Sequence, residues 1–479
     1  MSSTNVVWFR NDLRVQDNRA LYEACKNPLA KVISVYIATP GQWKKHNMSP
    51  RQAKFINQHL QCLVKNLAKK NIPFFYQQSV NFRELAEWLV NFCKQHEATN
   101  LFYNKQYALN ERRRDDLVAH LIKGVCKIHE FHDAVLLPPG SVLNYSGEMY
   151  KVFSSFRKSF LQQLNNLSLC VLPAPDKRNQ ISNICRLKPF DYPQQEIDHE
   201  LFPVGEKAAL NRLYLFCREH VQDYAQLRDI PSLDGTSMLS PYLSIGILSP
   251  RQCLQQLLIK DPNVLENKKN GEFIWLNEFI WRDFYHHLLV AYPKLCRNQP
   301  FIQWNNNIPW IGKAEHLIAW QQGKTGYPII DAAMRQLNYT GWMHNRLRML
   351  TSSFLVKDLL INWRAGESYF MSQLIDGDLA ANNGGWQWAA SSGIDSAPYF
   401  RIFNPTTQAK RFDEQGLFIR RWIPELEHIP KSHINTPHLW DIKASSLLDY
   451  PQPIVDHLVS RKKILILLKE SKSIQSIVL

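Results

Sequence analysis

The sequence lacks the short motifs that mark the commonest cofactor and catalytic sites. No CxxC pair, GxGxxG fingerprint, HExxH motif or GxSxG elbow occurs in its 479 residues. These absences argue against a structural zinc site, a nicotinamide dinucleotide site, metal catalysis and a hydrolase nucleophile elbow. The tetrapeptide GKTG at 323–326 falls short of a P-loop, because Ile318 stands where that motif needs its first glycine. No bound metal is expected.

Long apolar runs and paired cysteines are also missing. No run approaches the roughly 18 residues of a membrane-spanning helix, and KILILL at 463–468 is short and bordered by charged residues. The nine cysteines are an odd number, and no signal peptide is recognisable. We therefore expect reduced thiols in a cytoplasmic protein that has no membrane partner.

An excess of positive charge is the main feature of the composition. Lys and Arg outnumber Asp and Glu by 57 to 42, which gives a net charge of +15 and a pI near 9.3. Such an excess favours a polyanionic partner, nucleic acid before membrane, although an ordinary basic soluble protein would have the same charge. With 45% hydrophobic residues, the chain is long enough for two or three globular domains with sizeable cores.

Residues 1–135 alternate between strand and helix patterns. The strand patterns lie at 5–9, 31–38, 72–77, 99–104 and 127–132, and the helix patterns at 19–27, 49–70, 83–96 and 110–123. Asp17 is placed to cap the first helix, and Ser49 with Pro50 to start the second. Because apolar strands alternate with helices, we predict a doubly wound, Rossmann-like parallel sheet with helices on both faces.

The rest of the chain changes character twice. Residues 136–205 predict a connector between domains, since 171–205 contains five prolines and little periodicity. Residues 206–460 carry helical patterns almost throughout, and 461–479 form a C-terminal tail. The predicted architecture is an α/β domain (1–135), this connector, a larger all-α domain (206–460) and the tail.

Two Ser-Pro pairs in the helical part predict helix starts. Ser240 and Ser249 are each followed by proline, the arrangement of an N-cap with proline in the first turn. Thr236 and Ser237 precede the first pair, so hydroxyls and free backbone N–H groups could bind a diphosphate there without a P-loop. Two ordinary capped helices would explain the same residues.

Two further segments place polar and aromatic side chains on helix faces. Glu278 and Trp281 are three residues apart, and Trp342, Asn345 and Met349 follow helical spacing. If these side chains converge, they suit a planar, partly apolar ligand with amide edges, such as a pyrimidine. Taken one at a time, each face is equally explained by apolar residues in a core and polar residues at the surface.

Six segments, in the same order along the chain, resemble the photolyase/cryptochrome family. They are VVWFRNDLRVQDNRAL (6–21), TSMLSPYLSIGILSPRQ (236–252), WLNEFIWRDFY (275–285), GKTGYPIIDAAMRQL (323–337), GWMHNRLRM (341–349) and DGDLAANNGGWQWAASSGIDSAPYFRIFNP (376–405). The resemblance extends from about residue 5 to 455 and is strongest to bacterial class I cyclobutane pyrimidine dimer photolyases. It implies light-driven repair of DNA with FAD and an antenna cofactor.

The resemblance implies one FAD in the α domain, reduced in the active form. The implied FAD-binding residues are Tyr224, Thr236, Ser237, Met238, Leu239, Ser240, Trp342, Asn345, Arg348, Asp376, Gly377, Asp378 and Asn382. Among them, Asp376 would pair with Arg348, Asp378 would hold flavin hydroxyls and Asn382 would face flavin N5. A neutral amide tolerates both the oxidised and the anionic reduced ring, whereas a carboxylate would repel the anion.

The resemblance also implies residues for electron transfer and for binding the lesion. Trp310, Trp363 and Trp386 match the family's relay of tryptophans to the flavin, although tryptophan is also a common core residue. Glu278 and Asn382 complete the implied catalytic set. The implied DNA and lesion contacts are Arg228, Glu278, Trp281, Arg282, Asn345, Arg346, Met349 and Trp388.

The implied substrate is a cyclobutane pyrimidine dimer flipped out of DNA and bound without regard to sequence. The related (6-4) photolyases use two histidines four residues apart, and Asn345 and Met349 stand at those positions here. Neither can transfer a proton, so the cyclobutane lesion is favoured. An excited flavin would give the dimer an electron and recover it once the dimer has split.

The implied antenna is 5,10-methenyltetrahydrofolate. In folate-type relatives an Asn-Glu pair at a helix start holds the pterin, and Asn110 and Glu111 match it, with Cys296 and Arg297 expected nearby. A glutamate stabilised by the helix dipole would explain Glu111 equally well, and a deazaflavin antenna stays open.

Two other functions remain open at this stage. One is a cryptochrome-like blue-light photoreceptor without repair activity, and the other is a flavin-bearing DNA-binding protein. Cryptochromes usually have a long C-terminal extension, whereas only 479 − 451 = 28 residues follow Pro451 here. We expect a cytoplasmic, DNA-associated monomer.

Overall fold

The structure is a computed structural model that describes residues 3–166, 170–180, 187–440 and 448–478, with side chains as far as residue 473. The chain divides into two compact units by its internal contacts. The first unit comprises Met1–Gln222, Ser237–Cys296 and Ile375–Ala380, and the second Asp223–Thr236, Arg297–Leu374 and Ala381–Leu479. Because each unit combines segments that are distant in sequence, the domain boundaries predicted after residues 135, 205 and 460 stay predictions.

Five parallel strands in the first unit form one sheet in the order β3-β2-β1-β4-β5. The strands are β1 (Thr4–Phe9), β2 (Lys31–Ala38), β3 (Phe74–Gln78), β4 (Asn100–Asn104) and β5 (Lys127–Phe131). The strand order reverses at β1, as in doubly wound sheets whose crossover helices lie on both faces. The predicted Rossmann-like α/β fold is confirmed, and every predicted strand lies within two residues of an observed one.

Seven α-helices accompany or directly follow this sheet. They are α1 (Arg19–Cys25), α2 (Pro40–Lys45), α3 (Pro50–Lys69), α4 (Phe82–Gln95), α5 (Leu109–Leu121), α6 (Phe153–Asn165) and α7 (Glu206–Leu215). Ser49 caps α3 as predicted, since its side chain accepts a hydrogen bond from the backbone N–H of Arg51 and Pro50 occupies the first turn. Helix α6 lies within the segment predicted to be a connector.

The predicted cap of α1 is wrong by one residue. Asn18 is the N-cap, and its Oδ1 accepts from the N–H of Leu21 at 3.1 Å. Asp17 instead has a left-handed backbone with φ 53°. Its carboxylate accepts from the Ser249 hydroxyl and pairs with Arg251 at 3.0 Å. Asp17 therefore joins segments more than 200 residues apart, which a local capping rule cannot detect.

The described residues beyond α7 are mainly helical, which confirms the predicted larger all-α part. The α-helices are α8 (Tyr224–Leu227), α9 (Ser240–Ser244), α10 (Pro250–Lys260), α11 (Gly271–Ala291), α12 (Ala314–Gln322), α13 (Pro328–Thr340), α14 (Asn345–Ser353), α15 (Trp363–Gln373), α16 (Leu379–Ala389), α17 (Pro405–Phe412), α18 (Leu417–Trp422) and α19 (His457–Val478). Two π-turns, Phe216–His220 and Phe354–Asp358, extend α7 and α14. Short 3-10 helices lie at Val221–Asp223, Pro293–Arg297, Gln303–Asn307, Pro424–Leu426 and Pro437–Leu439.

The sequence predicted no membrane-spanning helix and reduced cysteines, and the described helices and thiols bear on both predictions. None of these helices is both long enough and apolar enough to cross a membrane. The cysteines within the described ranges are all free thiols, and Cys185 lies outside those ranges.

The carboxyl end of β1 is filled by the protein's own polar groups. In doubly wound sheets, ligands often bind where the strand order reverses, which here is between β1 and β4. The Arg10 guanidinium pairs with Asp115 at 2.8 Å and donates to the Asn104 carbonyl. The Asn104 side chain donates to Asp12 at 2.7 Å, and burial raises the pKa of Asp12. A ligand of this sheet must therefore bind further along the same edge.

A buried carboxyl in the first unit makes stability depend on pH. The Asp283 side chain accepts from the backbone N–H groups of Leu136 at 2.8 Å and Leu137 at 3.3 Å. Burial raises its pKa from 3.8 to about 7. The folded state therefore holds an extra proton between those values, and the free energy of unfolding falls as pH rises through this window.

Asp283→Asn should remove this contribution while keeping an oxygen acceptor for the two N–H groups. Between pH 4 and pH 7, the free energy of unfolding should fall less steeply with rising pH in the variant than in the parent protein. The difference in slope should reach up to about 1.4 kcal/mol per pH unit. Denaturant unfolding of both proteins across that range measures the two slopes. The buried histidines contribute equally to both slopes, so their contribution cancels in the difference. Equal slopes for the two proteins would contradict a raised pKa at Asp283.

Candidate functional site

A cleft of about 500 Å³ opens in the first unit beside the first turns of α5. Its lining residues come from α2, α4 and α5 and their ends: Gln42, Lys45, His46, Phe82, Asn110, Arg113, Arg114 and Leu117. Asn110 was predicted from the sequence, whereas the α2 residues were missed because this one-turn helix has no periodic pattern. The Asn110 amide lies 3.1 Å from the His46 ring nitrogen Nε2.

The chemistry of the cleft suits a planar ligand with anionic groups. Asn110 and Gln42 supply amides, and Lys45 and Arg113 supply positive charge. The Arg114 guanidinium lies 5.0 Å from the centre of the Phe82 ring and pairs with Asp115 at 2.7 Å. Aromatic surface combined with a few fixed polar groups is typical of small-molecule sites.

Cys296 lies at the start of α5, close to this cleft. Its thiol hydrogen-bonds with the backbone of Leu109, and burial raises its pKa, with the nearby Glu111 charge adding to the increase. The structure therefore places Cys296 beside the helix turn that carries Glu111, while its contact with folate stays a prediction. Arg297 is the next residue but falls in the second unit.

The two predicted Ser-Pro helix starts have different outcomes. Ser249 caps α10 with a full capping box, because its side chain and that of Gln252 each accept from the other's backbone N–H. Ser240 is not an N-cap, since α9 begins at Ser240 itself and Leu239 precedes it in a helical conformation. The neighbouring Met238 has a left-handed backbone with φ 49°. Such a backbone is uncommon for a residue other than glycine and is enriched at functional sites.

The segment Asp376–Asp378 belongs to the first unit. The Gly377 carbonyl accepts from the Gln52 side chain of α3 at 2.7 Å, and Asp376 is buried. The Asp378 charge acts on His286 of α11, whose pKa burial lowers to about 4. Helix α3 thus holds the segment through the Gly377 carbonyl, while the predicted flavin contacts of the segment stay predictions.

Glu278 and Trp281 both lie on α11, as predicted, and both are half-buried. The Trp281 ring lies face to face with Phe153, with 3.4 Å between ring centres and 7° between ring planes. Arg282 donates to the Ala134 carbonyl and lies 3.9 Å from Asp283. Its guanidinium is therefore engaged within the unit, which weakens the case for a phosphate contact.

In the second unit, α14 holds only part of the predicted face. The helix begins at Asn345, with His344 as N-cap, so Trp342 lies before the helix and not on it. Asn345 and Met349, one turn apart, share a face of α14. The Arg348 side chain donates to the Met343 carbonyl at 2.8 Å.

Two arginines predicted to contact phosphate already have intramolecular partners. The Arg346 guanidinium pairs with Asp229 at 2.7 Å and lies 4.6 Å from the centre of the Phe412 ring. Arg228 lies over the Tyr224 ring at 5.2 Å. Asp229 is one residue from Arg228, so the sequence showed its proximity to that arginine but not its pairing with Arg346.

Asn382 is held by a buried polar chain on α15 and α16. Its side-chain nitrogen donates to the Glu367 backbone carbonyl at 3.0 Å, and the Asn383 side chain donates to the Glu367 carboxyl at 2.8 Å. The Gln387 side chain in turn donates to Asn383 at 2.9 Å. Burial raises the pKa of Glu367 to about 7. The Glu367 carbonyl thus orients the Asn382 amide, and Asn383 and Gln387 hold the Glu367 side chain in place.

The three predicted relay tryptophans belong to one hydrophobic cluster. Trp363 and Trp386 are 0% and 2% exposed, and the partly buried Trp310 packs against the same cluster. A Cβ at Gly366 would lie 2.0 Å from Cη2 of Trp386, so only glycine lets α15 approach this ring. Trp320, which no sequence motif indicated, is fully buried and meets Trp386 edge-on with 6.1 Å between ring centres.

Trp386 and Trp388, two residues apart on α16, face different surroundings. Trp386 meets Phe370 edge-on at 5.0 Å in the core. Trp388 is half-buried and stacks loosely on Phe403 at 6.4 Å. Within the described ranges, no group of three or more His, Cys, Asp or Glu is arranged to hold a metal ion.

Comparisons with known proteins give a consistent result over the whole chain. Residues 5–176 match the family model described as DNA photolyase, and residues 275–470 match the FAD binding domain of DNA photolyase. The chain is 53% identical over 461 residues to a deoxyribodipyrimidine photo-lyase of Salmonella typhimurium, which covers 96% of this chain and 97% of the relative. Identity to that of Escherichia coli is 52% over 464 residues, with the same coverage.

Solved structures agree with this result at lower identity. A bacterial class III photolyase from Agrobacterium tumefaciens has a TM-score of 0.84 and 30% identity and covers 99% of this chain and 98% of its own. A cryptochrome from Synechocystis has the same TM-score of 0.84 with 29% identity, covering 97% of this chain and 99% of its own.

Proposed function

Because the chain belongs to the DNA photolyase family, we infer that it is an enzyme that repairs cyclobutane pyrimidine dimers in DNA with light, using FAD. The observation that carries this inference is identity of 53% to a deoxyribodipyrimidine photo-lyase over 96% of the chain. The match of residues 275–470 to the FAD binding domain of DNA photolyase supports FAD as the cofactor. Asn345 and Met349 stand where proton-transferring histidines would be needed for the (6-4) lesion.

The residues proposed to bind FAD fit the cofactor in one respect that the structure describes. The Glu367 carbonyl accepts from the Asn382 side-chain nitrogen, so the amide would present a neutral dipole of fixed direction to a flavin bound beside it. Such a dipole would accept a flavin N–H without repelling an anionic ring, whereas a carboxylate would repel it. Bound flavin supplies the light-driven electron that protein side chains cannot. The other proposed FAD contacts are those that the family resemblance implies: Tyr224, residues 236–240, Trp342, Asn345, Arg348 and residues 376–378.

Trp310, Trp363 and Trp386 are assigned to electron transfer between solvent and flavin. Indole is far easier to oxidise than the phenyl or aliphatic groups around it, so a run of indoles offers successive electron donors. Burial supports Trp310 as the member nearest solvent, because Trp386 and Trp363 are buried and Trp310 is partly exposed.

Glu278, Trp281, Asn345, Met349 and Trp388 are assigned to the flipped dimer. Trp281 and Trp388 are half-buried aromatic rings that offer flat apolar surface, and base–aromatic stacking is worth about 1–3 kcal/mol. Glu278 lies one turn before Trp281 on α11, where a carboxyl group can hydrogen-bond a pyrimidine edge. The net charge of +15 supports binding to DNA without sequence preference.

The cleft beside α5 is assigned to the antenna, 5,10-methenyltetrahydrofolate. Its amides suit the hydrogen-bonding edge of a pterin, and Lys45 and Arg113 suit the glutamate carboxylates of a folate. Glu111 lies in the first turn of the same helix, and the Cys296 thiol hydrogen-bonds with the backbone of Leu109 at the start of that turn. The cytoplasm as location and the monomer as working form remain proposals.

Glu111→Ala should lose the folate while keeping FAD. We expect the near-ultraviolet absorbance of bound folate to disappear after reconstitution, because the carboxylate can accept two N–H bonds from the pterin. Absorption spectra with and without added folate measure this, with Asp116→Asn on the exposed side of α5 as control. Folate retention equal to that of the parent protein would remove Glu111 from the site.

The repair activity itself is tested by a light-dependent assay. Purified protein with reduced FAD should remove dimers from an ultraviolet-irradiated oligonucleotide under blue light and not in darkness. Chromatography of the hydrolysed DNA counts the remaining dimers. Persistence of the dimers, with FAD bound and reduced, would favour a photoreceptor or a DNA-binding protein without repair activity.

A further inference from the structure

We propose that Phe153 is a positioning residue for lesion recognition, holding the Trp281 indole so that one face remains for the pyrimidine dimer. This inference rests on the proposed function, in which Trp281 contacts the lesion. Phe153 itself is 6% exposed, so it acts through Trp281 and not by touching DNA.

The two rings are stacked closely enough to exclude any ligand between them. Their centres are 3.4 Å apart and their planes differ by 7°, a separation that is van der Waals contact over the whole ring. A base can therefore stack on Trp281 only from the opposite face. Phe153 thus decides which side of the indole the lesion can use.

Neighbouring aromatic rings hold the same indole at its edges. Phe284 meets Trp281 at 80° with 5.8 Å between ring centres, and Tyr285 lies at the same distance with a 30° tilt. Phe284 also packs edge-on against Phe153 at 5.6 Å. Of these neighbours, Phe153 is the one in parallel contact with the indole face, so its removal changes the ring's orientation most.

Helix α6 is anchored to α11 at more than this one point, so Phe153 has a fixed place. Phe156, one turn later, packs against Phe284 with 5.0 Å between ring centres. The Arg157 guanidinium donates to the Asn277 side chain at 3.4 Å. These contacts are independent of Trp281, so shortening Phe153 should leave the two helices docked.

The expected effect follows from the cost of ordering a side chain during binding. Immobilising one side chain costs about two- to tenfold in affinity, and a ring already held in place avoids this loss. Loss of the Phe153 ring lets Trp281 adopt other rotamers in free protein. Only the damaged duplex uses the indole, so only its affinity should fall.

The test compares Phe153→Leu with Phe160→Leu. Phe160 is a fully buried residue of the same helix that packs on Phe156 and has no ring contact with Trp281 among the described residues. Both variants lose a phenyl ring from α6, so a general loss of packing affects them alike. Dissociation constants for dimer-containing and undamaged duplexes are measured in darkness for the FAD-loaded proteins, together with Trp281→Ala and the Phe153→Leu/Trp281→Ala double variant.

We expect Phe153→Leu to weaken damaged DNA about two- to tenfold and undamaged DNA hardly at all. Phe160→Leu should change neither affinity, and the double variant should bind like Trp281→Ala alone. Phe153→Tyr, which keeps the ring, should retain the parent's preference for damaged DNA. If Phe153→Leu does not fold, Phe153→Met provides the same comparison with an unbranched apolar side chain.

Three results would overturn the proposal: an unchanged affinity of Phe153→Leu for damaged DNA, an equal loss for both duplexes, or additive losses in the double variant. The proposed function fails separately, when Trp281→Ala itself shows no selective loss. A selective loss in Trp281→Ala with none in Phe153→Leu therefore rejects the role of Phe153 alone.

Discussion

Replacing Trp363 by phenylalanine is expected to slow photoreduction of the oxidised flavin at least tenfold and to leave repair by chemically reduced enzyme intact. Trp363 is fully buried in the cluster that also contains Trp386, so its indole is the interior step of the proposed relay. Phenylalanine fills much of the same space but does not give up an electron under these conditions. Repair is spared because its electron starts on flavin that is already reduced.

Trp320→Phe is the matched control for this experiment. Trp320 is as deeply buried as Trp363 and meets Trp386 edge-on, so both variants lose the same atoms from one core. Flavin reduction under blue light with an external thiol, followed by absorption, compares the three proteins. Normal photoreduction in Trp363→Phe, or loss in Trp320→Phe alone, would place the relay elsewhere.

Removing the Trp281 side chain is expected to weaken binding to dimer-containing DNA by roughly ten- to a hundredfold. Base–aromatic stacking is worth about 1–3 kcal/mol, and each 1.4 kcal/mol is a tenfold change. Undamaged duplex presents no flipped base, so its affinity should change little. Dissociation constants for the two duplexes measure the selectivity.

Arg346→Ala provides the comparison for Trp281→Ala. A phosphate contact acts on damaged and undamaged DNA alike and contributes to the salt dependence of binding. Because Arg346 pairs with Asp229 at 2.7 Å in the protein, DNA must compete with that carboxylate. We therefore expect the slope of log affinity against log salt concentration to decrease by less than the contribution of one phosphate contact. Equal losses for both duplexes in Trp281→Ala would show that the lesion binds elsewhere.

Local pattern was enough for the regular elements of the sheet. The predicted strand at 31–38 is β2 (Lys31–Ala38), and α3 begins at Pro50 behind the predicted cap Ser49. Strand alternation, apolar periodicity and an N-cap are properties of residues close together in the chain, so they can be predicted from the sequence alone. Ser240 shows the limit, because its helix begins without a side-chain cap at Leu239.

By itself, the sequence determined the fold class, the family and the residue types available for flavin, folate and lesion. Six ordered motifs carried that information because their spacing is constrained by helices and strands. The tertiary structure alone decided which partners those residues have. Asp17 leaves its expected cap to bind Ser249 and Arg251, and Arg346 is paired with Asp229.

The tertiary structure also decided which residue packs against Trp281 in the proposed lesion site. Phe153 lies 281 − 153 = 128 residues before Trp281, in a segment whose sequence predicted only a connector. The packing of α6 on α11 brings their rings to 3.4 Å. Side-chain contacts of this kind depend on how distant helices dock, and hydrophobic patterning specifies that a face is buried without specifying against what.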